Sequence, residues 1–187
     1  FFSSYKLMED VYQVYQDEFS AGWVRCICQH ASMTEKEREE FLEAFTEENE
    51  DTLIGFCVMG GIFSEGIDLI GNRLIGVAVV GTGIPQVNCE REILKNYYDA
   101  KGEQGFDYAY RYPGMNKVLQ SAGRVIRTKE DTGTILLMDE RFVSREYQAL
   151  FPREWNDAGI CALENVEQQI GKFWKQRERQ FQKEKHK

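Results

Sequence analysis

Two apolar stretches, TLIGFCVMG (residues 52–60) and LIGVAVVG (residues 74–81), decide the fold. Each is a near-continuous apolar run, which is the pattern of a strand buried on both faces of a sheet. Two further stretches, WVRCICQ (23–29) and TGTILLMDE (132–140), also have strand-like sequences. We therefore expect a sheet built from these four segments.

Segments with helical patterns separate the strands. Candidate N-caps at Ser4, Thr34 and Asn88 begin three of them. Two more helices are expected, one ending at about Arg127 and one running from about Leu163 to the end. Alternating strands and helices indicate an α/β fold, with a mainly parallel sheet covered by helices on both faces and a C-terminal helical extension.

Composition and charge limit the function classes. Apolar residues make up 42% of the 187 residues, and no apolar run approaches the roughly 20 residues of a membrane helix, so we expect no membrane partner. The five cysteines form no metal-binding pattern, which favours free thiols in a reducing cytoplasm. The net charge of −8 argues against nucleic-acid binding through the whole surface.

The segment that follows the first buried strand, GGIFSEGIDLIGNRL (60–74), is rich in glycine and acids. Glycines such as Gly66 permit tight turns and a close approach of the backbone to a ligand. Glu65 and Asp68 lie among apolar neighbours, where an unpaired charge would be costly. The segment is interpreted as a ligand-binding loop, with an ordinary turn and solvated acids as the alternative.

A second segment, QSAGRVIRTKEDTGTILLMDERF (120–142), contains two arginines among small and apolar residues. Gln120, Arg124 and Arg127 are spaced four and three apart, which places them on one face of the expected helix. Arginine presents a rigid fork of donors that suits a carboxylate or a phosphate. The sequence leaves open whether the arginines bind the phosphate of a ligand or form salt bridges within the chain. The acids that could form such internal salt bridges are Glu65, Asp68 and Asp139.

The nucleotide-binding motifs that use glycine-rich loops are absent. No GxxxxGK[ST] phosphate loop occurs in the sequence, and GTGIP (81–85) lacks the full GxGxxG pattern. The chain is therefore not expected to bind a triphosphate unaided. A stand-alone nucleotide-binding or interaction module would need such a loop or a large basic patch.

Three segments together resemble the C-terminal motor domain of DinG/XPD-type DNA helicases of superfamily two. FFSSY (1–5) is similar to motif IV, although Ser3 stands where the family usually has proline. Residues 60–81 are similar to motif V, and residues 120–142 are similar to motif VI with its QxxGRxxR core. The three motifs occur in the family order, and we expect the chain to come from a bacterial member.

The resemblance implies a RecA-like motor domain over residues 1–155 and a helical extension with a basic end over residues 156–187. In this family ATP binds in a cleft between two such domains. The other domain supplies the phosphate loop and the acids that hold Mg²⁺, and in many relatives it carries an iron–sulfur cluster. We therefore expect a portion of a longer helicase that is inactive alone, holds no metal itself and requires the missing N-terminal RecA-like domain.

The resemblance also assigns roles to three sets of residues. The residues that would face the γ-phosphate, with the arginines as fingers, are Gln120, Arg124 and Arg127. The residues that would couple the nucleotide state to the grip on DNA are Glu65, Gly66 and Asp68. The residues that would lie near the backbone of bound single-stranded DNA are Ser3, Ser4 and Tyr5.

Two functions follow from the family. The first is the motor domain of an ATP-dependent DNA helicase with 5′-to-3′ polarity. The alternative is a regulatory or scaffolding domain of an exonuclease-coupled or degenerate relative. A degenerate motor is expected to lose one of the two arginines, and the presence of both Arg124 and Arg127 favours a working motor.

Overall fold

A computed structural model describes residues 1–46, 48–63, 69, 71–126, 128 and 131–185. The chain forms two compact units, Phe1–Ser144 and Arg145–Lys187. The sequence predicted that the motor domain ends at residue 155. This boundary is defined by function as well as by packing, so it stays a prediction.

Four parallel strands form two pairs in the first unit. Strand β1 (Val24–Cys28) pairs with β2 (Thr52–Phe56), and β3 (Gly76–Val80) pairs with β4 (Thr134–Met138). All four lie within the stretches that the sequence predicted, so the mainly parallel α/β sheet is confirmed.

Phe2 joins the two pairs of strands. It forms parallel bridges with Val58, just after β2, and with Val80, the last residue of β3. Its N–H donates to the carbonyl of Cys57 at 2.8 Å, and its own carbonyl accepts from the N–H of Met59 at 2.8 Å. The order across the sheet is therefore β1, β2, Phe2, β3 and β4.

Three helices of the first unit begin at the N-caps that the sequence predicted. The Ser4 hydroxyl accepts from the N–H of Leu7 at 3.2 Å, Thr34 forms a capping box with Glu37, and Asn88 caps the next helix. Two helices contain a π-helical turn, at Tyr15–Phe19 and at Asp107–Arg111. The α-helices of this unit are α1 (Tyr5–Val14), α2 (Glu35–Glu43), α3 (Cys89–Ala100) and α4 (Tyr112–Ala122).

Helix α4 is shorter than predicted. It ends at Ala122 rather than near Arg127, with Gly123 as its C-cap. Glycine weakens a helix because its backbone loses the most freedom on ordering. Val125 beyond it is 2% exposed and packs against the backbone at Gly133, so the chain leaves the helical path to bury this side chain.

The prediction that the apolar strands are buried on both faces was wrong for β3. Val77 and Val79 are buried, whereas Gly76 and Ala78 between them are exposed. The exposed face of β3 carries the small residues Gly76 and Ala78. Burial therefore alternates along the strand, although every residue in the run is apolar or small.

Two apolar clusters pack on opposite faces of the sheet. Successive residues of a strand point to opposite faces, and Cys57 belongs to one cluster while Phe56 and Val58 belong to the other. The first cluster includes Phe41 of α2, whose ring stacks on Phe63 with centroids 4.2 Å apart. The second includes Phe2 and Met8 of α1. These contacts place helices on both faces, as expected.

The second unit is helical. It contains α5 (Arg145–Gln148), a 3-10 turn (Arg153–Trp155) and α6 (Val166–Lys185), which begins three residues after the predicted start at about Leu163. None of the helices in the described ranges combines the length and the apolar character needed to cross a membrane.

Candidate functional site

The N-terminal segment leaves the sheet at the carboxyl ends of its central strands. Because Phe2 pairs with Val58 and Val80, the next residues, Ser3 to Tyr5, emerge at this edge. In parallel sheets, binding loops collect at the carboxyl ends of the strands. The Ser3 side chain is exposed, whereas the hydroxyl of Ser4 is used to cap α1. Of the two serine hydroxyls, only that of Ser4 has a helix-capping role.

The glycine turn after β2 reaches the same edge. Gly60 has a φ of +70°, a backbone conformation that favours glycine. The aliphatic part of Lys117 from α4 lies over it, since a methyl group added at Gly60 would be 3.3 Å from Cδ and Cε of Lys117. Phe63 and Leu69 are both buried in the first apolar cluster, so both ends of the intervening segment are anchored. The predicted coupling residues lie outside the described residues; they are Glu65, Gly66 and Asp68.

The loop after β3 is fixed to α4 by a close contact between backbones. Gly81 and Gly83 have φ of +87° and +64°. A methyl group added at Gly83 would lie 2.8 Å from the carbonyl oxygen of Gly114, and one added at Gly114 would lie 2.7 Å from that of Thr82. These glycines let the loop lie directly on the helix that leads to Arg124.

The end of α4 carries the first part of the predicted arginine site. Gln120 is exposed in the last turn, and the half-buried Arg124 donates from Nε to the carbonyl of Gln120 at 3.2 Å. Because α4 ends at Ala122, Gln120 and Arg124 do not share the face of one continuous helix, contrary to the prediction. Arg127 lies outside the described residues.

Asp139, one candidate for an internal salt bridge, already has an arginine partner. Its carboxylate accepts from Nε and Nη2 of Arg141 at 2.8 and 2.7 Å. This two-pronged contact holds the pKa of Asp139 below its usual value, with burial acting in the opposite direction. The other two candidate acids, Glu65 and Asp68, fall among the residues that are not described.

A single carboxylate links the two segments at 60–74 and 120–142. Oδ1 of Asp131 accepts from the N–H of Gly71 at 3.1 Å, and Oδ2 accepts from the N–H of Thr128 at 2.7 Å. Gly71 lies within the glycine- and acid-rich segment, three residues after Asp68, and Thr128 directly follows Arg127. Asp131 therefore connects the residues just after Asp68 with those just after Arg127.

Comparison with known proteins connects these segments to one family. Residues 1–158 match the family described as helicase C-terminal domain. The match covers more than half of the chain and includes the segments at 1–5, 60–81 and 120–142. The chain belongs to this helicase C-terminal domain family.

Relatives of this helicase C-terminal domain include named helicases. A regulator of telomere elongation helicase 1 homolog from Caenorhabditis elegans is 31% identical over 156 residues, which cover 75% of this chain and 15% of that protein. The ATP-dependent DNA helicase DinG of Photobacterium profundum is 34% identical over 89 residues, which cover 46% of this chain and 13% of that protein. The matched part of this chain thus spans about a seventh of the length of these relatives.

A solved structure titled XPD helicase has a similar fold. The TM-score is 0.61 at 22% identity, and the similarity covers 80% of this chain and 26% of that one. The likeness confirms the RecA-like α/β fold that the motifs implied. It concerns the fold alone, and the bacterial source expected from the sequence stays a prediction.

Two polar residues that connect separate segments of the chain were not identified from the sequence. Asp131 lies in the stretch TKEDTG, where an acid among polar residues gives no signal of its two backbone partners. Gln29 directly follows β1 and is 1% exposed. The position of a glutamine at the carboxyl end of a predicted parallel strand was a signal that could have identified it.

Proposed function

We propose that this helicase C-terminal domain is the second RecA-like motor domain of an ATP-dependent DNA helicase that moves 5′ to 3′ on single-stranded DNA. The family match over residues 1–158 carries the proposal, because it contains all three motif segments in order. The geometry supports it. The start of α1, the glycine turn at Gly60 and the loop at Gly81 all lie at the carboxyl ends of neighbouring strands.

In this proposal Arg124 and Arg127 act on the γ-phosphate of ATP, with Gln120 beside them. Phosphoryl transfer depends mainly on positioning and on stabilisation of charge, and arginine supplies a permanent positive charge with several donors. The contact from Nε of Arg124 to the carbonyl of Gln120 holds the guanidinium at the end of α4. Because these arginines approach from a separate domain, opening and closing of the cleft makes hydrolysis conditional on domain motion.

The rest of the ATP site is proposed to come from a second RecA-like domain. The sequence contains no phosphate loop. Within the ranges that the structure describes, no three His, Cys, Asp or Glu side chains gather into a group that could hold a metal ion. We propose that Mg²⁺ and any iron–sulfur cluster are held by residues elsewhere in the protein.

Single-stranded DNA is proposed to pass the start of α1. Backbone N–H groups at a helix N-terminus and exposed hydroxyls are common donors to phosphate. Ser3 offers an exposed hydroxyl, whereas the hydroxyl of Ser4 caps α1 and that of Tyr5 binds Gln29. The net charge of −8 means that this domain alone is not expected to bind DNA tightly, so the DNA surface is shared with the second domain.

Glu65, Gly66 and Asp68 are proposed to couple the nucleotide site to the DNA site. In sequence their segment lies between Phe63 and Leu69, which are both buried in the first apolar cluster. We assign motor function to residues 1–155 and a separate role to the basic helical extension at 156–187. A cytoplasmic location fits this assignment.

Unwinding by the full-length protein tests the proposed function. With ATP, it is expected to separate a duplex that carries a 5′ single-stranded tail and to leave the matching duplex with a 3′ tail intact, because the strand is held in one orientation. A strand-displacement assay with both substrates measures this. Unwinding from the 3′ tail would contradict the polarity, and failure on both with intact DNA binding would favour the regulatory or scaffolding alternative.

A further inference from the structure

Gln29 occupies a buried position at the end of β1. Its side chain is 1% exposed, and it directly follows Cys28, the last residue of that strand. Buried side-chain amides are stable only when their donors and acceptors find partners. The partners of Gln29 therefore indicate what its side chain holds in place.

The two ends of the Gln29 amide bind different segments. Nε2 donates to the hydroxyl oxygen of Tyr5 at 2.9 Å, at the start of α1. Oε1 accepts from the N–H of Val58 at 2.9 Å, just after β2. The backbone N–H of Gln29 also donates to the carbonyl of Phe56 at 2.8 Å, which fixes the residue in register with β2.

The glycine turn closes over the same amide. A methyl group added at Gly61 would lie 3.1 Å from Nε2 of Gln29 and 3.1 Å from the carbonyl oxygen of Val58. Gln29 thus contacts the start of α1, the end of β2 and the turn that opens the segment containing Glu65 and Asp68. The proposed function assigns the first of these to DNA contact and the last to coupling.

We propose that Gln29 is a positioning residue that ties Tyr5 to the glycine turn, so that the DNA contacts and the coupling segment shift as one unit. This inference rests on the proposed function, because it concerns how DNA activates hydrolysis. Tyr5 has a half-buried ring, and its bond to Gln29 fixes the orientation of that ring. Loss of the bond weakens DNA activation without removing a group that contacts ATP.

The test uses the full-length protein with three variants: Gln29→Met, Tyr5→Phe and the double variant. Methionine keeps the length of the side chain but loses both hydrogen bonds, and phenylalanine loses only the hydroxyl. Tyr12→Phe is the matched control. Tyr12 is a tyrosine of the same helix whose ring packs edge-on against Phe56 with centroids 5.1 Å apart. The readout is the concentration of an oligo-dT strand that gives half-maximal stimulation of ATP hydrolysis.

Each single variant is expected to raise this concentration at least about threefold, the scale of one lost hydrogen bond. The maximal rate at saturating oligo-dT should fall by a smaller factor. The double variant should be no worse than Gln29→Met, because both substitutions remove the same bond. Tyr12→Phe should match the wild type in both quantities.

Two results would overturn the inference while leaving the proposed function intact. One is an unchanged half-maximal concentration in variants that only melt at lower temperature; the other is fully multiplicative effects in the double variant. If Gln29→Met fails to fold, an unchanged value for Tyr5→Phe is sufficient to reject the inference. A wild-type protein without stimulation by oligo-dT would instead reject the proposed function, and the inference with it.

Discussion

Arg127→Ala and Arg124→Ala in the full-length protein are each expected to lower the DNA-stimulated rate of ATP hydrolysis by about 10³-fold or more, the scale typical of arginine fingers. The physical reason is that the charge developing on the γ-phosphate would lose a donor placed to stabilise it. The KM for ATP should change far less, because most of the ground-state binding comes from the other domain. Steady-state kinetics at saturating single-stranded DNA separate kcat from KM.

Arg25→Ala provides the matched control for these variants. Arg25 is an exposed arginine of β1 whose Nη2 donates to Asn49 at 3.3 Å, outside the three motif segments. Its removal takes the same charge from the same unit, and hydrolysis should stay within about twofold of the wild type, as is usual for exposed surface positions. Wild-type turnover in Arg127→Ala would reject the finger assignment. An equal loss in Arg25→Ala would show that net charge rather than position is responsible.

Gly114→Ala is expected to destabilise the chain by about 1–3 kcal/mol, the usual cost of overpacking. The added methyl group would lie 2.7 Å from the carbonyl oxygen of Thr82 and 3.0 Å from the backbone nitrogen of Ile84. Both neighbours are backbone atoms, so the loop after β3 must move away from α4. Thermal unfolding of residues 1–187 measures the effect, at about 2–4 °C per kcal/mol for a chain of this size.

Gly22→Ala is the control for this stability prediction. Nothing lies within 4 Å of a methyl group added at Gly22, and its φ is outside the left-handed region. The change should leave the melting temperature the same or slightly higher, because alanine restricts the unfolded chain. If Gly114→Ala melted like Gly22→Ala, the close packing of the loop on α4 would be incorrect.

Local patterns predicted most of the fold. The strands at 52–60 and 74–81 and the caps at Ser4 and Thr34 were identified because apolar runs and capping residues act over a few neighbouring positions. The end of α4 was not predicted correctly, because it depends on the burial of Val125 against Gly133, eight residues further along the chain. The position of Phe2 between the two strand pairs was also not predicted, since a single residue has no periodicity from which its neighbours in the sheet could be assigned.

The site was predicted less completely than the fold. Family motifs named candidate residues, and of these the structure describes Ser3, Ser4, Tyr5, Gln120 and Arg124. The contacts that hold the motif segments together come from Gln29 and Asp131, which have partners 24 to 60 residues away in sequence. Polar contacts over such distances depend on the tertiary fold, so a motif search does not find them.

Measured side by side, ATP hydrolysis by residues 1–187 and by the full-length protein tests the central claim most directly. We predict hydrolysis stimulated by single-stranded DNA in the full-length protein and none above background in residues 1–187, even with ATP and Mg²⁺ in excess. The reason is that this chain supplies arginines but no phosphate loop. Clear turnover by residues 1–187 alone would contradict the claim, because the chain would then contain a complete active site.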